Sequence, residues 1–154
     1  MASMSACSIF EDLQPPPLQT AFNPLPPPPA PPIPQSTTPP SPSEARAEIA
    51  DWLAQAGYQP FQVTALLEHA KTESGFQACA AGAGDLRYLF QWGGTRLRRL
   101  HEFAHHSGCP QLKTQLAFTD TELRNDPKFA CFWEAKTESA AYAALRRGFG
   151  RGSC

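Results

Sequence analysis

Proline is the feature that most limits what this chain can fold into. Of 17 prolines, only Pro60, Pro110 and Pro127 lie beyond Ser43. Runs such as Pro26-Pro27-Pro28-Pro29 and Pro31-Pro32 favour polyproline II and cannot build a packed core. The stretch from Met1 to about Pro40 is polar apart from its prolines and holds no Lys or Arg. Residues 1–40 therefore read as a disordered, Pro-rich segment, and residues 41–154 as a single helical domain. PxxP-type patterns make the first segment a candidate ligand for an SH3-like protein partner. Ser8-Ile9-Phe10 and Phe22 are candidate short docking motifs within it.

Several function classes drop out on composition. A net charge of -1 argues against a general nucleic-acid or polyanion binder. No stretch approaches the roughly 20 apolar residues that a membrane helix needs. Met1 to Leu13 has neither a basic n-region nor an apolar h-region, so no Sec signal is visible. That fits a protein delivered by a Sec-independent route, and fits a cytoplasmic protein equally well. Five cysteines, Cys7, Cys79, Cys109, Cys131 and Cys154, form no CxxC pair, which argues against a zinc ribbon. Free thiols are the simplest expectation; a disulfide among Cys79, Cys109 and Cys131 is left open by the sequence.

Folding is expected to begin at Ser41. With Pro42 at the first helical position and Glu44 at the third, Ser41 heads a capping box. Ala45, Ile49, Trp52, Leu53 and Ala56 then recur at helical spacing until Gly57. Pro60 opens a second helix with Phe61, Val63, Leu66, Leu67 and Ala70 on one face. Gly75 is its stop, because the position after a helix takes a left-handed backbone that Gly adopts freely; Phe76 should fold back on the last turn. Gln77 to Gly94 has no helical period and reads as a short hairpin or irregular loop. A third helix is expected from about Thr95 to Ser107, burying Leu97, Leu100, Phe103 and Ala104. A fourth is expected from about Pro110 to Leu123. One or two closing helices carry Phe129, Phe132, Trp133, Ala141, Tyr142, Leu145 and Phe149, with Gly148 to Gly152 expected to fray. The fold class is mainly α, five to six helices with a loop insert.

Two stretches carry chemistry. Glu73 stands at the C-terminal end of the second helix, the negative end of its dipole, where a carboxylate is disfavoured. Burial near aromatic rings such as Trp92 would raise its pKa further. A carboxylic acid that keeps its proton near neutral pH suits general-acid attack on a sugar bond. The plain alternative is a solvated Glu. The aromatic and amide groups of Tyr88, Phe90, Gln91 and Trp92 suit sugar binding, with Trp92 stacking on a ring face and Gln91 bonding hydroxyl or acetamido groups; an aromatic minicore is the alternative. His101-Glu102-Phe103-Ala104-His105 is a literal HExxH, which on a helix sets two His on one face as zinc ligands. Charged Arg98 and Arg99 before it, and the lack of an obvious third ligand, weigh against a zinc peptidase. His69 reads as structural.

These pieces, in their order and spacing, resemble the phage-tail-type lysozyme domains of the lysozyme-like, transglycosylase-related superfamily. The matching residues are Glu73-Ser74-Gly75-Phe76, Leu89-Phe90-Gln91-Trp92-Gly93-Gly94 with Arg96, Leu100 with Phe103-Ala104, Thr114-Gln115-Leu116 with Phe118, Glu122-Leu123, and Ala141 to Phe149. The resemblance covers about the last ninety residues. It implies a helical fold with a cleft, and cleavage of the β-1,4 bond between N-acetylmuramic acid and N-acetylglucosamine in peptidoglycan glycan strands. It implies Glu73 as general acid and Gln91 and Trp92 as the cleft-lining pair; Tyr88, Phe90, Asp85 and Tyr142 are further candidate substrate contacts read from the sequence itself. No cofactor or metal is implied. Asp85, Asp120 and Glu122 are candidates for a second carboxylate. The chain departs from the family pattern at Arg87-Tyr88, where a small residue or Gly is usual before Leu89, and in the insert Ala80 to Asp85. Bulk at Tyr88 would narrow the cleft. A module that binds glycan without cutting it is the alternative function.

Overall fold

The computed structural model describes residues 40–150 and 152. The expectations of a disordered Pro-rich segment and its docking motifs lie outside them. Six helices and no strand are found among the described residues: α1 (Pro42–Gln55), α2 (Pro60–Ser74), α3 (Gly94–Ala104), α4 (Leu112–Asn125), α5 (Ala130–Glu134) and α6 (Glu138–Phe149), with a 3-10 turn at Pro127–Phe129 before α5. None is long and apolar enough to cross a membrane.

Local chemistry sets the ends of the first two helices. The Ser41 hydroxyl accepts from the Glu44 N–H, and the Glu44 carboxylate accepts from the Ser41 N–H at 2.8 Å, the reciprocal bonds of a capping box. Pro60 opens α2, and Gly75 closes it at φ 60°, in the left-handed region. Phe76 also has positive φ (66°), which turns the chain back so that its ring packs on the core.

α2 is the central element. It packs most extensively on α6 and also against α1. Leu66, Leu67 and Ala70 are buried, while Phe61 and Val63 sit at the margin of the core. α6 brings Ala141, Ala144, Leu145 and Gly148 against it. The expected fray at Gly148 does not occur. A Cβ on Gly148 would overlap the Phe129 ring, so this glycine lets a helix approach an aromatic side chain closely.

α3 is shorter than its pattern suggested. His105 takes the left-handed conformation (φ 57°), and bonds from the His105 and His106 N–H groups to the last carbonyls end the helix at Ala104. Leu100 alone is fully buried on α3, and Phe103, expected in the core, is 42% exposed against Phe118. α3 packs chiefly on α4, so it buries a narrower stripe than a helix held on two sides.

The loop between α2 and α3 is a tight reversal. Arg87 and Trp92 exchange two backbone hydrogen bonds of 2.9 Å, and Tyr88 to Gln91 form the turn between them. Tyr88 and Gln91 have positive φ (71° and 48°), which aims Leu89 and Phe90 inward. Gln115 on α4 clamps this loop. Its Oε1 accepts from the Leu89 N–H at 3.0 Å, and its Nε2 donates to the carbonyls of Ala78 and Pro110 at 2.9 and 2.8 Å. A Cys79–Cys109 disulfide ties the same loop to the segment before α4. The simplest expectation, free thiols, does not hold for that pair.

Candidate active site

Glu73 lies one residue before the end of α2, at the carbonyl end of the helix. Its side chain is 33% exposed, so one side faces solvent and the other faces the core. Burial raises its pKa above the ordinary carboxylate value, and the positive charges of Arg146 and Arg96 oppose that rise in part.

The wall behind it is aromatic. His69, one turn earlier on α2, is 2% exposed. Its ring stacks on Phe149 from α6 at 4.8 Å and on Phe90 from the loop at 5.7 Å. Phe90 and Phe149 are themselves nearly parallel at 5.6 Å. Tyr142 stands edge-on to His69 at 6.4 Å, and its hydroxyl lies 3.3 Å from that of Thr72. The structure thus brings Glu73, Phe90 and Tyr142, from three separate parts of the sequence, around the end of α2.

Trp92 is in a different role from the one its sequence context suggested. It has no exposed surface, so it cannot stack on a sugar in this structure. Its Nε1 donates to the Glu122 carboxylate at 3.0 Å. Phe90 and Tyr88 are buried as well, at 2% and 7% exposure, so neither ring presents a face to a ligand. The aromatic minicore holds for all three. Tyr88 does not narrow a cleft: its hydroxyl turns to His101 Nε2 at 3.1 Å. Its backbone is left-handed, a conformation that costs a residue with a side chain on the order of 1–2 kcal/mol. Gln91 is partly buried, with Nε2 donating to the Tyr88 carbonyl at 2.9 Å. Asp85 is exposed and caps α3 by accepting from the Gly94 N–H at 2.7 Å.

The other candidate carboxylates are also engaged. Glu122 accepts two hydrogen bonds from Arg96, at 2.8 and 2.7 Å, in a largely buried fork. That holds the Arg96 guanidinium 4.7 Å over the Phe149 ring. Asp120 accepts from the Tyr58 hydroxyl at 2.6 Å and from Arg124 at 2.7 Å.

The HExxH stretch does not make a ligand pair. Since α3 ends at Ala104, His105 has left the helix, and His101 faces Tyr88. Among the described residues, no three His, Cys, Asp or Glu side chains converge as a metal site would require.

The roles of two residues at this site escaped sequence reasoning. Gln115 was legible as part of the Thr114-Gln115-Leu116 motif, but its role as the clamp of the loop was not. Arg96 follows the loop motif, but its partner lies 26 residues away.

A groove of about 530 Å³ lies beside Tyr142, lined by Glu68, Thr137, Glu138, Ser139 and Tyr142. Another of about 590 Å³ is lined among others by Phe76, Cys79, Cys109 and Leu112, and Glu73 lines neither.

No curated protein and no solved structure matches the chain. The sequence model of the family described as Phage tail lysozyme matches residues 44–149, from the first turn of α1 to the end of α6. The chain therefore belongs to the phage tail lysozyme family, whose lysozyme-like glycosidase activity is directed at peptidoglycan.

Proposed function

We propose that this protein cuts the β-1,4 bond between N-acetylmuramic acid and N-acetylglucosamine, with Glu73 as the general acid. The observation that carries this reading is the state of the Glu73 carboxyl. It is partly buried beside His69 at the negative end of a helix, its pKa is raised by burial, and one side is open to solvent. A neutral acid in that setting protonates the leaving glycosidic oxygen as an oxocarbenium-like transition state forms.

Glu73 works alone in this scheme. Asp85, Asp120 and Glu122 are each held by a cap or an arginine. The substrate's own acetamido group then serves as the nucleophile, and the Glu73 carboxylate acts as base in the second half. The attacking group in that half is water or the muramic acid's own hydroxyl. Tyr142 reaches Thr72, the residue before Glu73, and the groove it lines on that side of α2 takes the neighbouring sugar. The disulfide suits work in a non-reducing compartment, as delivery to the cell wall would require. The helical domain of this enzyme begins at Ser41.

Digestion of purified peptidoglycan by the full chain, with products resolved by mass spectrometry, tests the reading. Muropeptide disaccharides are the expected products. Reducing ends would assign the second half to water, and 1,6-anhydro ends to the sugar hydroxyl. Folded protein that binds glycan and releases no product would replace the enzyme with a binding module.

A further inference from the structure

We propose that His69 is a positioning residue for Glu73: its Nδ1–H donates to the Glu73 carboxylate that remains once the acid has delivered its proton. The inference rests on the assignment of Glu73 as the general acid and adds a partner to that group.

His69 is the most anomalous polar side chain in the core. It is 2% exposed, and neither ring nitrogen has a hydrogen-bond partner among the described residues. Leaving such a group unpaired costs on the order of 1–3 kcal/mol. The ring has no route to water, because Phe149 and Phe90 cover it and the edge of Tyr142 closes a third side. The polar atom that Nδ1 faces is Glu73 Oε1, 3.8 Å away on the next turn of α2. That distance is too long for a hydrogen bond. The partly exposed Glu73 side chain has room to close it, whereas the stacked imidazole has none. Catalytic hydrogen bonds are often long until substrate is bound.

Charge decides the sign of the contact. Arg96 on α3 and Arg146 on α6 place positive charge toward the ring, Tyr142 on α6 is uncharged, and Glu73 is its acidic neighbour on α2. Burial first, then the two arginines, push the His69 pKa down to about 4. The ring is therefore neutral near neutral pH, with one N–H and one lone pair. An imidazolium here would stabilise the Glu73 carboxylate by its charge, so that the acid gives up its proton to solvent and is disabled. A neutral donor leaves the resting acid protonated and still stabilises the carboxylate when it forms. The proton balance is simple. Glu73 gives its proton to the glycosidic oxygen and recovers one from the attacking hydroxyl, while His69 keeps its own throughout.

The test pairs activity with a spectroscopic readout on the full chain. His69→Phe preserves a ring in the stack and removes both nitrogens. On soluble glycan strands, kcat should fall about tenfold or more at unchanged KM, the scale of a hydrogen bond to a charged group. The alkaline limb of its pH profile should move upward, because a carboxylate without its donor holds its proton longer. The melting temperature should stay level or rise. In the wild type, nitrogen-15 spectra should show the His69 proton on Nδ1. That measurement holds even if the variant fails to fold. A proton on Nε2, or a folded His69→Phe with wild-type kcat and pH profile while Glu73→Gln is inactive, would overturn this proposal alone. Full activity in Glu73→Gln would overturn it together with the assignment of the acid.

Discussion

At the scale of single residues, the burial that raises the Glu73 pKa lowers that of His69. One environment disfavours both charges, and the consequences for stability have opposite signs. The folded His69 value of about 4 lies below the roughly 6.5 of an unfolded histidine. Between those values the unfolded chain binds more protons, so stability falls as pH drops from about 6.5 toward 4. The full effect is on the order of 3 kcal/mol. Glu73 acts the other way, because its raised value favours the fold at low pH and that contribution fades as pH rises through it. Urea unfolding at pH 7 and pH 5 should show the loss in wild type and much less of it in His69→Phe. Equal losses would mean that the imidazole is not held neutral. The sequence placed Glu73 at a helix end beside aromatic rings, because Gly75 and the apolar spacing are local signals. It could not reveal that Trp92 turns away from solvent: its partner Glu122 lies 30 residues on, and only the fold brings them together.

Among the elements, α6 is the wall against which α2 holds the site. Its approach depends on Gly148 lying under Phe129, next to the Phe149 that covers His69. Gly148→Ala should therefore destabilise the protein by about 1–3 kcal/mol through overpacking, even though alanine is the better helix former by about 1 kcal/mol. Chemical denaturation measures the change, and an unchanged or raised midpoint would show that α6 shifts without cost. Helix starts and stops were legible where a side chain or glycine acts on its own backbone, as in the Ser41–Glu44 box and at Gly75. They were not legible at His105, a non-glycine in the left-handed region, or at Gly148, where glycine serves packing and not termination.

Across the whole domain, Gln115 and the Cys79–Cys109 disulfide are among the ties that fasten the loop between α2 and α3. The bridge closes a loop of 30 residues, which in the chain-entropy account is about 3–4 kcal/mol. Reduction, or Cys79→Ser with Cys109→Ser, should lower the melting temperature by on the order of 15 °C. Cleavage should fall as well, because the same loop carries Phe90 to the wall behind Glu73. Calorimetry with and without reductant would decide it, and an unshifted transition would contradict the fastening role. The family could be read from the order of short motifs along the chain, and the match over residues 44–149 bears that out. The pairing of the cysteines could not, since spacing alone does not say which Cβ atoms face one another.

The most direct test of the central claim is cleavage of purified peptidoglycan by wild type and by Glu73→Gln, compared at equal folded concentration. The glutamine preserves shape and removes the proton to be donated, so the rate should fall by about 10²–10⁴ while glycan binding persists. A variant that cuts at the wild-type rate would show that another group is the acid.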